Sequence, residues 1–93
     1  MTRDEQIALA NRAKALLDDE LVAGAFEALE TEYIKGWRQT AARDTDARER
    51  LWQAVQVVGK IRAHLQTIVA NGKLAQREID DVAGQQAPRS IFG

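Results

Sequence analysis

The sequence predicts an all-α protein: an antiparallel helical hairpin with an additional N-terminal helix and a short C-terminal helix, followed by an extended tail. Three observations lead to this fold class. Ala, Leu, Gln, Glu and Arg, which enter helices at little cost, make up much of the chain. Apolar residues recur at spacings of three and four. Helix-capping signals precede two of these periodic stretches.

Length and composition limit how many domains and which kinds of site this chain can form. A chain of 93 residues has room for one domain, and a lone domain of this size is marginally stable. We predict a helical domain over residues 1–84 and a flexible tail over 85–93. The absence of cysteine excludes disulfides, thiolate metal sites and cysteine nucleophiles. We expect no signal peptide, because the N-terminus has no apolar core, and no apolar run is long enough to cross a membrane.

Charge is unevenly distributed along the chain. Residues 1–46 contain six basic and ten acidic side chains, a net charge of −4, whereas residues 47–93 contain seven and four, a net charge of +3. This asymmetry can guide head-to-tail or antiparallel pairing between chains. It is too small to indicate a nucleic-acid partner by itself.

The first helix is predicted to begin near Thr2 and to run to about Leu17. Thr2 and Glu5 have the spacing of a capping box, in which each side chain satisfies the other residue's amide. Asp18 and Asp19 favour a bend or short break, because an aspartate can cap a new helix. Because neither Gly nor Pro occurs at this point, one continuous helix over residues 2–39 is the alternative prediction.

The second helix is predicted over about 19–39, where large apolar side chains recur every three or four residues. They are Phe26, Leu29, Tyr33 and Trp37. Gly24 and Gly36 weaken this helix slightly. Such glycines either permit close packing of a neighbouring helix or are neutral. A loop follows, and Asp44, Thr45 or Asp46 is expected to cap the next helix.

The third helix shows the strongest pattern, over about 46–70. Its apolar residues follow a heptad-like a/d spacing: Leu51, Ala54, Val58, Ile61, Leu65 and Ile68. Asn71-Gly72 then indicates a C-terminal stop, with Gly72 in the left-handed conformation. A short fourth helix is predicted over 73–83, ending at Gly84, and Pro88 prevents further helix.

The second and third helices have similar lengths and a short connection, which makes them antiparallel neighbours. Two helices that pack only against each other bury one apolar stripe each. The first helix, the fourth helix or another subunit must therefore cover the remaining apolar surface.

No residue pattern indicates catalysis. His64 is the only histidine, and Lys60 and Ile68 occupy the positions four residues away where a second metal ligand would stand. The chain has no phosphate-binding loop, dinucleotide fingerprint, zinc-protease motif or nucleophile elbow. Its carboxylates fall mostly on polar faces or at helix starts. We therefore predict no catalytic, cofactor-binding or metal-binding residues and a protein that is not an enzyme.

Two segments are candidate protein-interaction sites. Antiparallel packing brings Trp37 and Trp52 together at the loop end, and Trp with a neighbouring Arg38 is typical of interface hot spots. The alternative is that the two rings only stack on each other. The second candidate is the tail, a docking peptide that would fold into a partner's groove, or else a terminus without a role. Its candidate contact residues are Pro88, Arg89, Ile91 and Phe92.

The stretch from Phe26 to Ala75 is similar to short helical proteins encoded by tailed bacteriophages and prophages. The resemblance is carried by Tyr33-Ile34, Trp37-Arg38, Thr40, Arg43-Asp44, Arg48-Glu49, Leu51-Trp52, His64-Leu65 and Gly72-Lys73-Leu74-Ala75. These are packing and capping positions, so no functional residue carries over. The resemblance implies a virion or assembly component, or another small phage accessory protein.

Together these observations predict a non-enzymatic phage structural or virion-assembly protein that binds capsid, portal or tail protein. It would be present in several copies or as a homo-oligomer, in the virion or the bacterial host cytoplasm, without a membrane association. One alternative is a small accessory protein or inhibitor that binds a host protein. Another is a weak nucleic-acid-binding protein, although the basic residues of the chain do not form one helical stripe.

Overall fold

The computed structural model describes residues 1–86, and this part of the chain consists of helices without a strand. The helices are α1 (Arg3–Asp18), α2 (Glu20–Gln39) and α3 (Thr45–Gln86). The all-α fold class predicted from the sequence is therefore confirmed. The segment 87–93, which contains the predicted tail residues Pro88, Arg89, Ile91 and Phe92, lies outside the described residues.

Helix α1 begins with the Thr2 cap that the sequence predicts, but the Glu5 carboxylate accepts from the Thr2 hydroxyl and not from the Thr2 amide as a complete capping box requires. The Thr2 hydroxyl oxygen accepts a hydrogen bond from the Glu5 amide at 3.1 Å and donates one to the Glu5 carboxylate at 3.1 Å. This pair satisfies one of the free amides that every helix N-terminus carries.

A single residue, Asp19, separates α1 from α2. Its backbone is extended, with φ −70° and ψ 122°, and its amide donates to the Leu16 carbonyl at 3.2 Å. The Asp19 carboxylate accepts from the amides of Leu21 at 2.9 Å and Val22 at 3.1 Å. The short break, one of the two possibilities in the sequence, is the one that forms, because this side chain replaces the hydrogen bonds that helix α2 lacks at its start.

A tight loop connects α2 to α3. The Asp44 carboxylate accepts from the Ala47 amide at 3.2 Å, which identifies Asp44 as the cap among the three candidates. At the other end of the loop, the Thr40 amide donates to the Trp37 carbonyl at 3.3 Å.

Helix α3 is one continuous helix of 42 residues, about 63 Å long. The predicted stop at Asn71-Gly72 and the separate short C-terminal helix over 73–83 are therefore wrong. No glycine in the described residues has a positive φ, so Gly72 does not adopt the left-handed conformation. Gly84 does not end the helix either, because α3 continues to Gln86.

Because Gly72 has no side chain, α1 can lie directly against α3 at this position. A Cβ atom at this position would overlap the Cβ of Ala10 and lie 3.2 Å from the carbonyl oxygen of Gln6. The glycine therefore permits a close helix approach, which has the same sequence signature as a helix end.

Contacts along α3 show how the other helices are arranged. Arg3 of α1 pairs with Glu78 at 2.7 Å, and α1 also contacts Gly72. Further towards the N-terminus of α3, Glu30 of α2 pairs with Arg62 at 3.1 Å. Helix α1 thus lies along the C-terminal half of α3, and α2 lies along the N-terminal half, both in the opposite direction to α3.

This arrangement is a layer only two helices wide, and its core is thin. Four apolar residues in the described part of the chain are buried: Ala10, Ala13, Val58 and Ala75. Three of these four are alanines, so the helices meet through small side chains. Many larger apolar side chains consequently stay exposed, among them Leu16, Leu21, Val57 and Ile61.

Candidate protein-docking surfaces

The loop end of the layer carries an aromatic–cation cluster. Trp37 lies in the last turn of α2 and Trp52 in the second turn of α3, and their ring centroids are 6.4 Å apart at a tilt of 45°. The Arg48 guanidinium lies 4.4 Å from the centroid of the Trp37 ring. These distances are within the range of favourable aromatic-pair and cation–π contacts. We call Trp37, Arg48 and Trp52 the tryptophan cluster.

Arg48 also satisfies the C-terminus of α2. One of its guanidinium nitrogens donates to the carbonyl of Thr40 at 3.2 Å and, more weakly, to the carbonyl of Trp37 at 3.4 Å. The last carbonyls of a helix lack partners within it and carry partial negative charge, so a cation there is favourable. The tryptophan cluster is therefore held by contacts between α2, which precedes the loop, and α3, which follows it.

Sequence reasoning found Trp37 and Trp52 but missed Arg48 as their partner. The detectable signal was the position of Arg48 one turn before Trp52, on the helix that follows the loop. Arg38, the third predicted interaction residue at this end, is exposed in the last turn of α2. The structure therefore brings the two tryptophans together and places Arg38 in solvent.

The tryptophan cluster remains open to a partner despite its internal contacts. Trp52 is 49% exposed, and a shallow depression is lined by Trp37, Thr45, Arg48, Glu49 and Trp52. The two rings pack on each other, and a large part of the indole surface is still exposed. The packing and docking interpretations are therefore compatible.

A second surface runs along one side of the layer. On α3, Val57, Ile61 and Ile68 follow helical spacing with exposed His64 between them. On α1, Leu9 and Leu16 are seven residues apart and so share one face. Leu9 and Ile68 line the same groove, together with Met1, Gln6, His64 and Asn71, so the two stripes lie on the same side. We call the five apolar residues Leu9, Leu16, Val57, Ile61 and Ile68 the lateral face.

Three of the five lateral-face residues are exposed, and the other two, Leu9 and Ile68, are half-buried. Leu16 is 48% exposed, Val57 54% and Ile61 48%. Ile61 belongs to the a/d stripe that the sequence predicts as core. Helices α1 and α2 cover this stripe from one side only, which leaves half of the Ile61 surface in solvent.

Beside the Phe26 ring, a charged pair fixes α2 to α3. Arg62 pairs with Glu30 at 3.1 Å, and its guanidinium lies 5.3 Å from the centroid of the Phe26 ring. Both ionic side chains are about two-thirds buried. Two basic side chains, Arg48 and Arg62, are thus engaged in contacts within the fold.

The described residues include no group of three or more His, Cys, Asp or Glu side chains placed to hold a metal ion. No helix among residues 1–86 is long and apolar enough to span a membrane. Comparisons with protein-family models, with curated proteins and with solved structures found no match.

Proposed function

We propose that this chain is a non-enzymatic assembly protein of a tailed bacteriophage, which binds a larger virion protein of the capsid, portal or tail. The phage context rests on the resemblance over Phe26 to Ala75. Protein binding is supported by the exposed apolar and aromatic surfaces of the helix layer. The predicted contacts are the tryptophan cluster with Arg38 and the tail residues.

The observation that carries the proposal is the half-exposed indole of Trp52 in a cluster that is already ordered. Trp and Arg are enriched among the residues that dominate binding energy at protein interfaces. Trp52 packs against Trp37, and Arg48 lies over the Trp37 ring. These contacts restrict the three side chains before a partner arrives, so binding costs less side-chain entropy.

Incorporation into particles tests this function. Virions of the phage that encodes the chain are purified on a density gradient. The chain in them is then quantified by mass spectrometry. We expect the wild-type chain in the particles and Trp52→Ala depleted from them. Loss of the ring contact with Trp37 should lower the thermal stability of Trp52→Ala, so its helix content is measured to show that it is still folded. Gln56→Ala, an exposed change one turn further along α3, is the matched control and should be incorporated normally.

Two results would contradict the proposal. The first is absence of the wild-type chain from purified particles, which would favour an accessory protein or inhibitor that binds a host protein. The second is equal incorporation of Trp52→Ala and Gln56→Ala. A steep loss of affinity for DNA or RNA with increasing salt would instead favour the nucleic-acid alternative.

The tail requires its own test. Removal of residues 87–93 leaves α3 whole, because that helix ends at Gln86. If the tail is a docking peptide, the shortened chain is depleted from particles while its helix content is unchanged. Unchanged incorporation would show that Pro88, Arg89, Ile91 and Phe92 do not contribute to docking.

A further inference from the structure

We infer that Asp19 is a two-state hinge: α1 packs on α3 only while Asp19 is extended, and a helical Asp19 would turn the packed face of α1 away from α3. The hinge controls the α1 half of the layer. It is independent of the proposed docking function, which uses the loop end and the tail.

The break at Asp19 determines which faces of α1 and α2 point towards α3. On α1, Ala10 contacts Gly72. On α2, Trp37 contacts Trp52. Ala10 and Trp37 are 27 residues apart, which is about 7.5 turns of a continuous helix at 3.6 residues per turn. In one straight helix over α1 and α2, these two side chains would therefore point in opposite directions.

Two further contact residues of α2 give the same result. Phe26, whose ring lies beside Arg62, is 16 residues after Ala10, and Glu30, which pairs with Arg62, is 20 residues after it. In a continuous helix they would lie about 160° and 200° around the axis from Ala10. Supercoiling changes this angle by about 20° per seven residues, which is too little to bring the two faces together. A helical Asp19 and a packed α1 therefore exclude each other.

The two helices are fixed to α3 by contacts of different kinds. The tryptophan cluster and the largely buried pair of Glu30 and Arg62 hold α2. The buried residues of α1 are two alanines, and its ion pair with α3, Arg3 with Glu78, is about half exposed. When the hinge straightens, α1 is therefore the helix that turns.

The extended state is favoured by the Asp19 side chain. Its carboxylate accepts from the amides of Leu21 and Val22, and neither Gly nor Pro stands at the break. A helical residue 19 would instead continue the backbone hydrogen bonds of α1 into α2. It would also uncover Gly72 and Ala75, which are buried in the packed state. One side chain thus selects between the two arrangements.

Thiol reactivity tests the hinge, because the chain has no native cysteine. Ala13→Cys reports the buried face of α1, and Val58→Cys reports the half of the layer that α2 covers. The rate of modification by a maleimide is measured for each thiol, with Asp19 present and in Asp19→Ala. The ratio of the Ala13 rate to the Val58 rate should rise at least about threefold in Asp19→Ala, the factor expected from the higher helix propensity of alanine.

Asp44→Ala is the matched control, because Asp44 caps α3 at a distance from the hinge. It lowers global stability and should raise both rates by the same factor. Two alanines inserted after position 19 of Asp19→Ala turn α1 by about 200° relative to α2, which should bury Ala13 again. One inserted alanine turns α1 by about 100° and should leave Ala13 reactive.

Two results would overturn the inference, with circular dichroism showing that each variant is still helical. The first is an unchanged rate ratio in Asp19→Ala, which would mean that the substitution acts through global unfolding alone. The second is equal reactivity of the Ala13→Cys thiol with one and with two inserted alanines, which would mean that the rotation of α1 does not decide its packing.

Discussion

Gly72 and Ala10 are in direct contact where α1 lies against α3, and the contact leaves no room for a Cβ atom on Gly72. Ala13 and Ala75, both buried, belong to the same seam. Small side chains let the two helix backbones approach closely, so the attraction between them is spread over many backbone and methyl contacts. The position of α1 therefore depends on the absence of side-chain volume at one residue.

Gly72→Ala should destabilise the protein by about 1–3 kcal/mol, because the added methyl group overlaps Ala10. This result would reverse the usual order of helix propensity, in which Ala is favoured over Gly by about 1 kcal/mol. The free energy of unfolding, measured by urea denaturation, is the readout, at a fixed protein concentration for both chains.

Gly59→Ala is the matched control in the same helix. Gly59 is exposed, and nothing lies within 4 Å of a Cβ built there. The substitution should raise the free energy of unfolding by about 0.5–1 kcal/mol. If Gly72→Ala were as stabilising as Gly59→Ala, the close approach of α1 and α3 would be disproved.

Asp19→Ala should lower the free energy of unfolding by about 1 kcal/mol, because two α2 amides lose their acceptor. Asp18→Ala is the adjacent control. Asp18 pairs with Lys14 at 2.6 Å, but both side chains are more than half exposed, so its removal should cost less than about 0.5 kcal/mol. Equal effects from the two aspartates would contradict the capping role of Asp19.

Arg48→Lys should lower the free energy of unfolding by about 1 kcal/mol and change the tryptophan emission spectrum. Lysine keeps the charge but cannot place a planar donor group over Trp37 while bonding the carbonyl of Thr40. Arg50→Lys, an exposed change two residues away, should alter neither property. An unchanged emission spectrum in Arg48→Lys would show that Arg48 does not contact the indole.

A double-mutant cycle on Glu30 and Arg62 should give a coupling energy of about 0.5–1 kcal/mol, because both side chains are largely removed from solvent. The pair Lys14 and Asp18, at about 60% exposure, should give about 0.3 kcal/mol and lose most of it in salt. A coupling for Glu30 and Arg62 no larger than for the exposed pair would show that the ion pair does not hold α2 against α3.

Local features of this fold could be predicted because adjacent residues determine them. The Thr2 cap, which accepts from the Glu5 amide, and the break at Asp19 depend on hydrogen bonds that span two or three residues. Gly72 was misinterpreted for the opposite reason. The sequence Asn-Gly suits both a helix end and a close helix contact, and only the position of Ala10 on α1, more than 60 residues earlier in the chain, distinguishes them.

The candidate docking surfaces also combine one feature that the sequence predicts with one that it does not. Loop length was enough to bring Trp37 and Trp52 together, since antiparallel helices joined by a short loop share an end. The a/d pattern predicted Ile61 as core, but its exposure depends on how much of α3 the other helices cover. That coverage depends on how all three helices pack, and the periodicity of one helix cannot predict it.

The elongated layer, with α1 lying along the C-terminal half of α3, depends on α3 being one continuous helix, and a single distance tests this most directly. Lys60→Cys and Asp81→Cys carry spin labels at exposed positions on either side of Gly72, in protein diluted with unlabelled chains. A continuous helix predicts about 32 Å between the two backbone positions, at 1.5 Å per residue. A distance below about 20 Å would mean that the chain turns back at Asn71-Gly72, which would contradict the continuous helix and the elongated layer.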